Sequence, residues 1–129
     1  MAEFNYQEYI TLFNTGDDEK LCRTYFTEDA VMQTATQRIE GRENLLKFLN
    51  IAHDGVREIL HPLVVLADNN NLITEIDIEF VASKDKPDFV FKALKAGESI
   101  KVKFFAAYKL REGKVFNLKT AHWPVNYGI

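Results

Sequence analysis

His53, His61 and His122 are the only histidines in this 129-residue sequence. Imidazole is the side chain that exchanges protons near neutral pH, so these positions are read first. His122 lies in the stretch Val115–Trp123, whose residues should alternate between two faces of a strand. If Phe116 and Leu118 face a core, Thr120 and His122 face it too, and Trp123-Pro124 closes the strand at the rim. A histidine aimed into a cavity can give or take a proton; the plainer alternative is a structural ring bonded to a backbone carbonyl. Tyr9 shares an apolar stripe with Tyr6, Ile10 and Phe13. It is either a core tyrosine or a hydrogen-bond donor to something held against that stripe. His61 precedes Pro62, a residue of edges and bulges, and its facing stays open. His53, near the end of a helical stretch, reads as a cap complementing the helix dipole. Gln33 and Thr34 offer hydrogen bonds to a ligand. Glu75, Asp77 and Glu79 alternate strictly with Ile76, Ile78 and Phe80, which makes them a solvated or interfacial face rather than a carboxylate site.

Other chemistries find no support. Three histidines at these spacings match no metal-ligand motif, so no metal is expected. There is no glycine-rich phosphate loop, no nucleophile elbow and no cysteine–histidine pair, and no cofactor is expected. The net charge is -3, and the lysines between Lys92 and Lys103 are interrupted by Glu98. Nucleic acid is therefore not an expected partner, since phosphate neutralisation needs grouped Lys and Arg. Cys22 stands alone, reads as a small buried apolar residue and fits a reducing compartment. The opening Met1-Ala2-Glu3-Phe4-Asn5 has no basic region followed by an apolar run, and no stretch approaches the ~20 apolar residues that span a bilayer. A cytoplasmic, membrane-free chain is the expectation.

The candidate groups need elements to hold them. Helical periodicity covers Tyr6 to Phe13, and Asn14-Thr15-Gly16 stops it. Asp17, Asp18 and Glu19 suit the start of a second helix, with Leu21, Cys22, Tyr25 and Phe26 as its stripe. Thr27-Glu28-Asp29 breaks the pattern before a short strand, Ala30–Gln33. Gly41 opens a third helix with the apolar set Leu45, Leu46, Phe48, Leu49 and Ala52, ending near Asp54-Gly55. The period then changes. Ile59–Ala67 reads as a strand, Asp68–Asn71 as a turn, and Leu72–Ser83 as an alternating strand. Lys84–Gly97 is a longer excursion containing Phe89, Val90, Phe91 and Leu94. Ile100–Leu110 alternates again, Val102, Phe104, Ala106 and Tyr108 against Lys101, Lys103 and Lys109. Arg111–Lys114 is a hairpin turn into the last strand. The acidic face of 75–79 and the basic face of 101–109 should meet on neighbouring antiparallel strands. Helices first and strands after argue for an α+β fold, one domain over 1–129.

Three segments carry a resemblance: Glu8–Asp17, Tyr25–Val31 and Glu40–Glu43, with motifs of the form N-x-G-D and F-x-x-D-A. Together they resemble the nuclear transport factor 2-like superfamily, which includes ketosteroid isomerases, SnoaL-like polyketide cyclases, scytalone dehydratases and limonene epoxide hydrolases. The resemblance implies a cystatin-like cone, three N-terminal helices on a curved antiparallel sheet, usually dimeric, with an apolar pocket at its open end. The oxyanion tyrosine of ketosteroid isomerases falls on Tyr9, the base on or near Thr34, and the protonated aspartate near Ala106 or Ala107. One of three roles is present, so that mechanism in its known form is disfavoured.

The resulting expectation is a cofactor-independent isomerase, cyclase or dehydratase acting on a small apolar molecule. Tyr9 would donate a hydrogen bond and His122 would be the acid or base. Met32, Thr34, His61, Phe104 and Trp123 would contact the ligand. A non-catalytic ligand-binding domain and a protein-interaction domain are the alternatives. Phe105 and Ala107 lie among lysines on the outer sheet face, and a homodimer through that face is expected.

Overall fold

The structure is a computed structural model describing residues 3–125; Met1 and Ala2 of the opening segment and residues 126–129 lie outside it. Helix α1 runs Tyr6–Thr15, with the Asn5 side chain accepting the Glu8 amide at 3.0 Å. It ends at Gly16, whose φ of 84° suits a residue without Cβ. Helix α2 spans Asp18–Tyr25 and is capped by Asp17, which accepts the Lys20 amide at 3.1 Å.

Phe26 does not continue the α2 stripe but opens strand β1, Phe26–Gln33. Thr27-Glu28-Asp29 lie in a register break of that strand, which pairs with the last strand at Phe26 and again from Val31. A short strand β2, Arg38–Glu40, pairs back onto β1. Helix α3, Arg42–Ala52, follows Gly41. Strands β3 (Val56–Ala67), β4 (Asn71–Ala82), β5 (Ser99–Arg111) and β6 (Lys114–His122) complete the sheet. Strand β3 begins three residues before the expected Ile59, which brings Glu58 into it.

The strand order is β2-β1-β6-β5-β4-β3. The sheet is mixed rather than purely antiparallel, because β1 and β6 run parallel. Such a pair needs a long crossover, and the whole of α3 to β5 supplies it. The α+β expectation stands: three helices pack against a six-stranded sheet. Strands β4 and β5 are antiparallel neighbours as expected, with Asp77 opposite Lys103 and Glu79 opposite Lys101. Their inner faces bury Leu72, Ile76, Ile78, Phe80, Val102, Ala106 and Tyr108. Cys22 is buried and free, as the apolar reading requires. No helix among the described residues is long and apolar enough to cross a membrane.

Strand β6 corrects one detail. Lys109 pairs with Asn117 but Leu110 pairs with Val115, so the register shifts there. Val115 therefore points into the core and Phe116 lies under the Arg111 guanidinium, 4.9 Å from its ring centre. Beyond the shift the alternation holds: Leu118, Thr120 and His122 stand opposite Tyr108, Ala106 and Phe104.

Candidate functional site

Helices, sheet and the 84–91 segment enclose a cavity of about 1000 Å³. Tyr9 and Tyr108 wall its inner end, with Tyr6 packed against both. Tyr9 from α1 stacks with Tyr6 and meets Tyr108 of β5 edge-on at 5.7 Å. The Tyr6 and Tyr108 hydroxyls are 3.4 Å apart, and Tyr108 also engages Tyr9. Burial raises Tyr9 and Tyr108 well above the ordinary tyrosine range, so both stay protonated donors. At the other end Phe80, Phe89, Phe91 and Phe104 form a ring of aromatic contacts, and His122 joins it, 5.0 Å from Phe91 and 5.7 Å from Phe104. Highly exposed lining residues, Ile51 and Val90, mark the mouth there with His122.

Tyr9, Met32, Thr34, Phe104 and His122 thus line one cavity. Thr34 is already committed as an acceptor, since its hydroxyl takes the Gln37 amide at 3.1 Å in the turn between β1 and β2. His61 and Trp123 are corrections. Leu60 faces the core, so neighbouring His61 faces outward, 47% exposed and 3.7 Å from Glu79. Asn14 holds that phase by bonding both the amide and the carbonyl of Leu60, at 2.8 and 3.1 Å. Trp123 follows the end of β6, is 48% exposed and is not among the lining residues.

One constellation was not foreseen. His53 is the C-cap residue of α3, but its ring does not serve the helix end. Nδ1 lies 2.9 Å from both Asp18 carboxylate oxygens, and Nε2 lies 2.8 Å from Glu58 Oε1. Burial pulls His53 down, but the hydrogen bonds and charges of Asp18 and Glu58 outweigh it and raise the ring to about 9. At neutral pH it is an imidazolium between two carboxylates. Glu58 also lines the large cavity. The sequence held a signal for this: Val56, Glu58 and Leu60 share one face of a strand, placing a carboxylate among core residues. Starting the strand at Ile59 hides it.

Residues 6–118 match the SnoaL-like domain family. The chain belongs to the SnoaL-like domain family. It thereby sits in the nuclear transport factor 2-like superfamily that the motifs resembled. The SnoaL-like chain is similar in structure to a candidate polyketide cyclase from Xanthomonas campestris pv. campestris, at 22% identity over 95% of this chain and 90% of that one, with a TM-score of 0.79. It is also similar to a limonene epoxide hydrolase-like epoxide hydrolase of Mycobacterium tuberculosis, at 11% identity over 92% and 79%, TM-score 0.71. A nuclear transport factor 2-like protein of unknown function from Cytophaga hutchinsonii aligns at 13% identity over 95% and 89%, TM-score 0.67. At these identities the likeness is one of fold. No curated protein sequence matches the SnoaL-like chain.

Proposed function

We propose that this SnoaL-like domain binds a small, largely apolar molecule in its cavity and converts it without a cofactor, as an isomerase, cyclase or dehydratase. The observation that carries this is the cavity itself: about 1000 Å³, walled by aromatic and aliphatic side chains, with hydroxyls at one end and an imidazole at the other. Tyr9 would offer its proton to a carbonyl or developing enolate, and His122 would exchange protons at the mouth. The two do not address one atom. Tyr108, in contact with Tyr9, pairs with Leu118, and His122 lies four residues further along β6, roughly 13 Å at strand rise. A substrate touching both spans two or three fused rings. The candidate polyketide cyclase of similar fold is in keeping with such a molecule.

One observation favours a second reading, a non-catalytic ligand carrier. The tyrosine hydroxyls satisfy one another, as a structural cluster would. Calorimetric titration with 2-naphthol tests the cavity. One molecule should bind per chain, and Phe104→Asp, which charges the wall, should abolish binding. Absence of saturable binding to the wild type would remove both readings.

The apolar row on the outer face supports a homodimer. Ile73 and Phe105 are half-exposed there among charged residues, and a second copy of the sheet would cover them.

A further inference from the structure

We propose that Glu58 is the proton-abstracting base of the cavity, held in place by His53 and Asp18 as positioning residues. The proposal rests on the cavity being a catalytic site, and it moves the base from the mouth to the inner wall.

Three observations carry it. Glu58 lies on the inward face of β3 between Val56 and Leu60, opposite Phe80, and its side chain is 17% exposed. An acidic residue at such a position costs stability unless something holds its charge. Second, Oε1 is taken by His53 Nε2 at 2.8 Å, and among the described residues no hydrogen bond engages Oε2. The lining of the large cavity includes Glu58, so this second oxygen is the one left to meet a ligand. The other acidic lining residues, Asp85 and Asp88, are exposed on the 84–91 segment. Third, the anchoring is itself anchored. Asp18 receives His53 Nδ1 with both oxygens and sits in the first turn of α2, where the helix dipole favours its charge. His53 is then free to balance Glu58. The ring packs edge-on against Phe13, which excludes water from one side.

The step is a simple one. Glu58 takes a proton from a carbon beside a carbonyl, the C–H electron pair moves into the carbonyl to give an enolate, and the carboxylate becomes a carboxylic acid. Return of the proton to the same or a conjugated carbon regenerates Glu58. His53 already carries both protons and takes no part in the transfer. It holds Oε1 in place. Other charged or titratable groups around the unit include Arg57, bonded to the Asn14 carbonyl, the Lys84–Asp54 pair, Cys22 beside Asp18 and Tyr9 beside Glu58.

2-Tetralone, a bicyclic ketone, reports the step through loss of its C1 proton signal in D2O, followed by NMR. Wild-type protein should accelerate exchange at saturating ketone. Glu58→Gln, which keeps an acceptor for His53, should slow it by about a hundredfold or more while 2-naphthol still binds. If that variant does not fold, Glu58→Asp, which withdraws the carboxylate by one methylene, should slow exchange at least tenfold with binding kept. His53→Gln, whose amide can still donate to Oε1, should keep the exchange rate within about tenfold while His53→Ala loses it with 2-naphthol binding retained, whereas a purely structural role would lower binding and exchange together. Binding of 2-naphthol with exchange unaffected by Glu58→Gln, or with no exchange in the wild type, overturns the assignment and leaves the binding site standing. Failure of 2-naphthol to bind brings down both.

Discussion

Two places in this molecule set one cation between two carboxylates. On the outer sheet face Lys103 Nζ lies 2.7 Å from Glu75 and 2.8 Å from Asp77. Inside, His53 lies 2.9 Å from Asp18 and 2.8 Å from Glu58. The distances hardly differ, nor does the exposure of the two cations, 12% for Lys103 and 14% for His53; the depth of protein around them does. The outer trio is covered by its own strand neighbours on one sheet face, with little protein beyond them, so salt screens its charges more than those inside. The inner trio is packed among Phe13, Val56 and the α2 terminus, where each charge has lost most of its water and depends on the others. The same charges therefore decorate one region and tie three elements together in the other. Only the second can hold a carboxylate in a fixed place beside a cavity.

The sharpest way to break this contrast is to remove each cation. His53→Ala leaves two carboxylates facing a small void and should cost about 3–5 kcal/mol in urea unfolding at pH 7. A loss below about 1 kcal/mol would show that the inner trio is as dispensable as a surface pair.

A second effect comes from pH. His53 is raised from 6.5 to about 9 in the folded chain. Its contribution is then complete below about pH 6.5 and is lost as the pH rises through about 9, amounting to roughly 2–3 kcal/mol after allowance for partial solvent screening. Urea midpoints of the wild type should fall between pH 6.5 and 9.5, while those of His53→Gln stay flatter over that range. Parallel curves would refute the linkage.

The smallest effect belongs to the outer face. Lys103→Met should cost less than about 1 kcal/mol, and the cost should shrink in high salt. The proposed homodimer sharpens this test, because a covering partner would bury the outer trio. Sedimentation at micromolar concentration should show a dimer, and Phe105→Glu should convert it to monomer. A wild-type monomer removes the dimer.

Much of the positioning was legible in the chain. Periodicity gave the three helices, the partnership of β4 with β5 and the inward side of β6 from Leu118 to His122, because these depend on residues near one another in sequence. The cavity-facing places of Tyr9, Met32, Thr34 and Phe104 follow from the same alternation once the motifs suggest which side the helices cover. His61 could not be oriented, since the phase of β3 is held by Asn14, which comes 46 residues before Leu60. The parallel pairing of β1 with β6 was hidden for the same reason: Phe26 and Val31 to Gln33 find their partners at the far end of the chain.

Sequence alone determined that this chain folds as helices over a sheet with an aromatic interior, because side-chain period and turn chemistry are local properties. Tertiary structure alone decided that His53 reaches Asp18 and Glu58. These residues are separated by 35 and 5 positions and sit on two helices and a strand, and each was ordinary in its own segment. A cap, a helix start and a strand end become a charged unit only when packing expels the water between them, and burial of that kind is a property of the assembled fold.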